Sequence, residues 1–311
     1  GEEKMTALKF VFGNKERTST YEQPITEFNV LETKVFTLLT GIPNVTEVIV
    51  IPIFGKNFGA PTEIKPSQET PDNFVDMNAG IIAYYNFENT INDSSGNGKN
   101  GTCTNCPNYV SGKIGNAGYF KVMVGGNLND SVQVTNTQIP GLVFNNSYSI
   151  SGWFNREGLG TIMQKRGGNV SNSNEIILGI SNATEYYNSS CLIPGTKNKL
   201  GYMFSNKVIS GSSCKRWAFS KEEIESNKWY HFAAVYNKTN LNGKLYLNGE
   251  LQETLYADSP GTLPNTNLAI GGRPTGSGTG WGTINGTIDE ILIFNRTLSE
   301  AEVKQIYEAQ R

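Results

Sequence analysis

Near its end the chain changes hydrophobic period. Ile288, Ile291, Ile293 and Phe294 form a β-branched and aromatic run, and Leu298, Val303, Ile306 and Tyr307 then recur at helical spacing. Ser299 and Glu302 stand three residues apart, the spacing of a capping box. The pattern predicts a strand, a turn and a short amphipathic closing helix. Upstream the period is two. Ile150, Gly152 and Phe154 oppose Ser149, Ser151 and Trp153, and Tyr230, Phe232 and Ala234 share one face of the run 229–236. Asn248-Gly249 between the runs 244–247 and 250–255 predicts a type I′ hairpin. Strands of this kind predict an all-β, antiparallel two-sheet sandwich.

The first 57 residues carry a separate β signal, with strands expected at 7–12, 25–30, 34–40 and 47–54. Residues 58–79 have the Pro-rich polar texture of a linker, so the expected division is a small β-rich domain at 1–57, Ig-like or a partial sandwich, a linker, and a large domain at 80–311. A unit of that size without cysteines buries too little apolar surface to be comfortably stable alone. Either it packs on the large domain or another chain completes it. In the second case Leu8, Phe10 and Phe12 lie on a strand donated to a neighbouring subunit.

Five ordered segments carry a resemblance: 80–102 (GIIAYYNFENTINDSSGNGKNGT), 110–115 (VSGKIG), 148–154 (YSISGWF), 229–236 (WYHFAAVY) and 244–250 (KLYLNGE), followed by the strand and helix at 286–309. Together they resemble laminin-G-like, concanavalin A-type jelly-roll domains over about residues 80–311. The resemblance implies that the Asp93 loop and the Asp-Glu pair near the last strand lie close together. On that ground Asp93 and Asp289, with Glu88 and Asn97, are the candidate calcium ligands; the plainer reading is an Asx-turn at Asp93 and a structural hydrogen bond from Asp289. It also implies that Trp153 and Trp229 belong to the sandwich, as core or sheet-face packing. The polar stretch 165–225 is longer than the family's usual connection.

Composition narrows the chemistry. Charged residues make up 17% and the net charge is -2, so nothing favours nucleic acid or an anionic membrane surface as a partner. No apolar run reaches the length of a membrane span, and no signal peptide is visible. Asn-x-Ser/Thr sequons at Asn44, Asn92, Asn100, Asn129, Asn145, Asn169, Asn182, Asn188, Asn237, Asn285 and Asn295 point to a secreted or surface glycoprotein. Two disulfides agree with that compartment, Cys103 with Cys106 and Cys191 with Cys214, because the second pair lacks the spacing of a zinc site.

Catalytic constellations are missing from the sequence. A retaining glycosidase places two carboxylates on one strand face, two residues apart; Asp289 and Glu290 are adjacent and are expected on opposite faces, and Glu222, Glu223 and Glu225 sit in a polar, helical stretch. The single His231 lies in a strand expected to be core, which argues against a triad. The candidate sugar platforms are Trp281, in the glycine-rich run 276–282, and Trp217, beside Lys215 and Arg216. The chain thus reads as a non-enzymatic, extracellular or surface glycoprotein, a structural or adhesive filament subunit that pairs with copies of itself. The rivals are a calcium-dependent lectin-like module for surface glycans and a targeting module of a larger hydrolase.

Overall fold

The computed structural model describes residues 5–13, 18–24, 47–54, 57–58, 62–64, 79–121, 130–135, 146–165, 176–181, 185–188, 191–194, 196–203, 217–256, 267–273 and 282–311. The chain divides into two compact units, 1–79 and 80–311.

The first unit holds β1 (Met5–Gly13), β2 (Thr18–Pro24), β3 (Glu47–Phe54), β4 (Asn57–Phe58) and β5 (Thr62–Ile64) in one antiparallel sheet, ordered β2-β1-β3 with β4 and β5 both on β3. Phe10 is opposite Tyr21 on one side and Val50 on the other. The expected assembly strand is therefore an inner strand. Both edges of the strand that carries Leu8, Phe10 and Phe12 are paired within its own chain, which gives the strand-donation expectation no support. The sheet also reaches into the presumed linker, since β5 extends it to Ile64. The strands expected at 25–30 and 34–40 lie outside the described residues.

The second unit is the expected sandwich. Its first sheet has eight strands, β6 (Ile81–Tyr85), β7 (Asn108–Ser111), β8 (Asn116–Phe120), β10 (Tyr148–Arg156), β17 (Trp229–Asn237), β18 (Asn242–Leu247), β19 (Glu250–Tyr256) and β21 (Gly286–Phe294). Their order is β19-β18-β17-β10-β21-β8-β7, and β6 takes the other half of the β21 edge. The second sheet has six strands, β9 (Val132–Val134), β11 (Gly160–Lys165), β12 (Ile176–Ile180), β15 (Leu200–Met203), β16 (Trp217–Phe219) and β20 (Leu268–Ile270), ordered β16-β15-β12-β11-β20-β9. A separate hairpin joins β13 (Glu185–Asn188) to β14 (Cys191–Pro194).

Alternation decides what each sheet buries. Phe154, Phe232, Ile288, Ile291 and Ile293 from the first sheet meet Ile162, Leu178, Ile180, Tyr202 and Ile270 from the second in one continuous core. The expected hairpin turn forms, with Asn248 and Gly249 at φ 49° and 80°. Helix α1 (Glu300–Gln310) starts at the expected capping box, Ser299 Oγ accepting from Glu302 N while Glu302 returns the bond to the Ser299 amide. Its Tyr307 ring stacks on Trp153 and touches His231, which places the helix on the outer face of the eight-stranded sheet. The segment around Glu222, Glu223 and Glu225 is a bend and irregular chain rather than helix, pinned by Arg156 to the Ile224 carbonyl and by Ser220 to the Glu222 carbonyl.

Candidate functional site

The outer face of the eight-stranded sheet presents two cross-strand rows. One runs Asp289, Trp153, His231 and lies beneath α1; the next runs Asn108, Tyr119, Thr287, Asn155, Trp229 and lies beyond it.

The covered row holds buried Asp289 and His231, with Glu290 beside them. Glu290 sits at φ 55°, and between Ser151 and Trp153 the register with β21 shifts by one residue. This bulge carries Asp289 and Glu290 to the same side of the sheet, correcting the expectation of opposite faces. Gly152 lies opposite, where a Cβ would come 2.4 Å from Ile291 Cδ1. Asp289 accepts from Lys113 N and Ile114 N at 2.9 and 3.1 Å and from Glu290 N at 2.9 Å. Glu290 Oε2 accepts from Tyr84 Oη at 2.6 Å and Gln310 Nε2 at 3.1 Å. Burial pushes Asp289 up to about 7 despite its three N–H donors, and burial together with Asp289 pushes Glu290 up to about 8. Trp153 Nε1 donates to Gln310 Oε1 at 2.9 Å, so one glutamine ties the helix end to both the indole and the acid pair.

Ser151 Oγ and His231 Nε2 are 2.8 Å apart, but both residues have 0% exposure. Burial lowers the imidazole to about 3, and its Nδ1 has no hydrogen-bond partner among the described residues. A substrate reaches neither atom, so the pair packs the sheet beneath the helix, as expected of His231 from its strand.

The expected calcium ligands are distributed differently. Asp93 gathers the backbone N–H groups of Tyr84, Ser95 and Lys99, each at 2.9 Å, and fixes its loop. Asn97 donates to the Ile81 carbonyl, and Glu88 accepts from both nitrogens of Asn116. The hydrogen-bond partners of Asp93, Asp289 and Glu88 are all N–H donors, and no three His, Cys, Asp or Glu side chains converge on a metal position among the described residues. The set does not fit one calcium ion, which needs six to eight oxygen ligands around a common centre.

Cys103 and Cys106 are joined as a disulfide with Cα atoms 5.1 Å apart. Cys191 lies on β14; Cys214 and Trp281 lie outside the described residues, as do the sequons Asn44, Asn129, Asn145, Asn169 and Asn182. Asn188 is on β13; Asn92, Asn100 and Asn295 are exposed, and Asn237 and Asn285 half-buried. Trp217 is 1% exposed and stacks on Phe219, against Ile177 and Met203. That corrects its expected role, since a buried ring offers a sugar no face.

The open row was missed by the sequence. Tyr119, Thr287, Asn155 and Trp229 are half-buried and Asn108 is exposed. The amide of Asn155, the hydroxyl of Thr287 and the indole N–H of Trp229 have no hydrogen-bond partner among the described residues. Tyr119 donates to Glu157 Oε2 at 2.6 Å, a bond that with burial raises the phenol to about 12, and Asn285 Nδ2 lies 3.4 Å from the same oxygen. Two aromatic rings thus flank a hydroxyl and an amide on a rigid sheet. That arrangement can stack against apolar ring faces while exchanging hydrogen bonds with the groups at their rims.

A family model described as the concanavalin A-like lectin/glucanases superfamily, of a laminin-G type, matches residues 125–304. No curated protein sequence matches the chain. Among solved structures, the binding domain of Paraclostridial Mosquitocidal Protein 1 is 17% identical with a TM-score of 0.54, over 74% of this chain and 52% of that one. Botulinum neurotoxin type C, described as depending on two ganglioside molecules to enter cells, is 18% identical with a TM-score of 0.50, over 76% and 52%. Domain 4 of AbnA, a GH43 extracellular arabinanase from Geobacillus stearothermophilus in complex with arabinotriose, is 21% identical with a TM-score of 0.49, over 73% and 98%. This chain spans about half the length of the two toxin chains. At such identities the toxin likenesses establish a shared fold.

Proposed function

The chain belongs to the concanavalin A-like lectin/glucanase superfamily, and we propose that it is a non-enzymatic, extracellular carbohydrate-binding module whose ligand lies on the open row of the eight-stranded sheet. One observation carries this reading: Tyr119 and Trp229 flank Thr287 and Asn155, whose side chains have no hydrogen-bond partner among the described residues, on a half-exposed sheet face that α1 leaves uncovered. A sugar needs both components, since its C–H faces stack on aromatic rings and its hydroxyls require partners once they leave water.

The acids and the imidazole favour binding over hydrolysis. Asp289, Glu290, Ser151 and His231 are buried and hold the helix and the β7–β8 turn in place. Ganglioside dependence in a toxin of the same fold is in keeping with a glycan partner here. Binding of the intact chain to an array of plant, bacterial and animal glycans tests the reading. Retention of at least one glycan class is expected, with loss in Trp229→Leu and Asn155→Ala at unchanged melting temperature. Equal retention by both variants would place the ligand elsewhere.

A further inference from the structure

The row also sets the form of its ligand, an inference that rests on the carbohydrate reading. Tyr119 and Trp229 stand on β8 and β17, separated by β21 and β10, so three strand intervals lie between them. At about 4.8 Å per interval the two rings are roughly 14 Å apart across the sheet. Between them Thr287 and Asn155 occupy the two intermediate positions, one per strand. The repeat is regular because it is that of the sheet itself.

The two ends differ chemically. At the Tyr119 end Glu157 is exposed and its Oε2 already accepts from Tyr119 and Asn285, while Lys121 Nζ lies 5.3 Å from the Tyr119 ring. At the Trp229 end the neighbouring Lys228 is held by Glu225 at 3.1 Å, so the indole is not the seat of a free charge.

We propose that the row binds a linear oligosaccharide of about four sugar units laid perpendicular to the strands, with Tyr119 and Trp229 under its two end rings and Thr287 and Asn155 bonded to hydroxyls between them. The occupant is a foreign glycan; a sugar carried on Asn285, which heads the sequon whose threonine is Thr287 itself and lies beside the Tyr119 end, is the competing outcome that the experiment separates.

Calorimetric titration of the full chain, made in a host that does not N-glycosylate, with cello-, xylo- and manno-oligosaccharides of increasing length tests this. In the series that binds, affinity rises steeply from one unit to about four and then levels off. Tyr119→Leu and Trp229→Leu, each with an unchanged melting curve, weaken the longest ligand of that series by about tenfold or more. Binding that is indifferent to length would overturn the linear-chain inference while leaving the carbohydrate reading intact; failure of every series, together with an empty glycan array, would count against both. Chain glycosylated at Asn285 that has lost oligosaccharide binding, with binding restored by Asn285→Gln, would overturn the foreign occupant in favour of the protein's own sugar.

Discussion

Glu290 holds a left-handed backbone conformation that costs a residue with a side chain about 1–3 kcal/mol, and the surroundings show what offsets it. The bulge turns both Glu290 and Asp289 toward the helix, where Tyr84, Gln310 and three backbone amides receive them. In an unfolded chain both carboxyls titrate near the ordinary value of about 4. In the native protein they keep protons up to about 7 and 8. Within that window the folded state binds more protons than the unfolded one, so stability falls as pH rises and levels off once both groups have ionised. Melting temperatures should therefore decline from pH 5 to pH 8, and Glu290→Gln should flatten the decline. A wild-type curve that instead climbs over that interval would show that the amides and the phenol outweigh burial. Gly152→Ala tests the same bulge sterically: its Cβ falls 2.4 Å from Ile291 Cδ1, and a loss of about 1–3 kcal/mol is expected in denaturant unfolding.

At the scale of elements, α1 divides the outer face into a covered half and an open half. Its capping box and apolar spacing were legible in the sequence, as were the Asn248-Gly249 turn and the alternation of β10 and β17. Such features are local, written within a few neighbouring residues. The bulge was not legible, because a period-two reading assigns adjacent carboxylates to opposite faces and carries no mark for an extra residue. The open row was equally hidden: Asn108, Tyr119, Asn155, Trp229 and Thr287 come from five strands and meet only through register. Trp217 misled for the converse reason, a polar neighbourhood in sequence around a ring that the sheet buries. Removing the cap with Ser299→Ala should cost about 1 kcal/mol in denaturant unfolding. Tyr307→Ala should expose Trp153 and shift tryptophan emission to longer wavelength, while an unchanged spectrum would mean that the helix shields the indole without that ring.

At the scale of the whole molecule, the chain divides into two compact units, 1–79 and 80–311. The sandwich closes a continuous core between two sheets, and residues 80–311 should fold alone with a cooperative transition. The smaller unit was expected to lend β1 to another chain; within this chain β1 is flanked by β2 and β3. The proposed recognition face is the part of the sandwich that α1 leaves open. Amide chemical-shift mapping of the isolated 80–311 unit with a bound oligosaccharide tests this most directly. The account predicts the largest changes at Tyr119, Asn155, Trp229 and Thr287; changes concentrated on the six-stranded sheet, with that row unmoved, would contradict it.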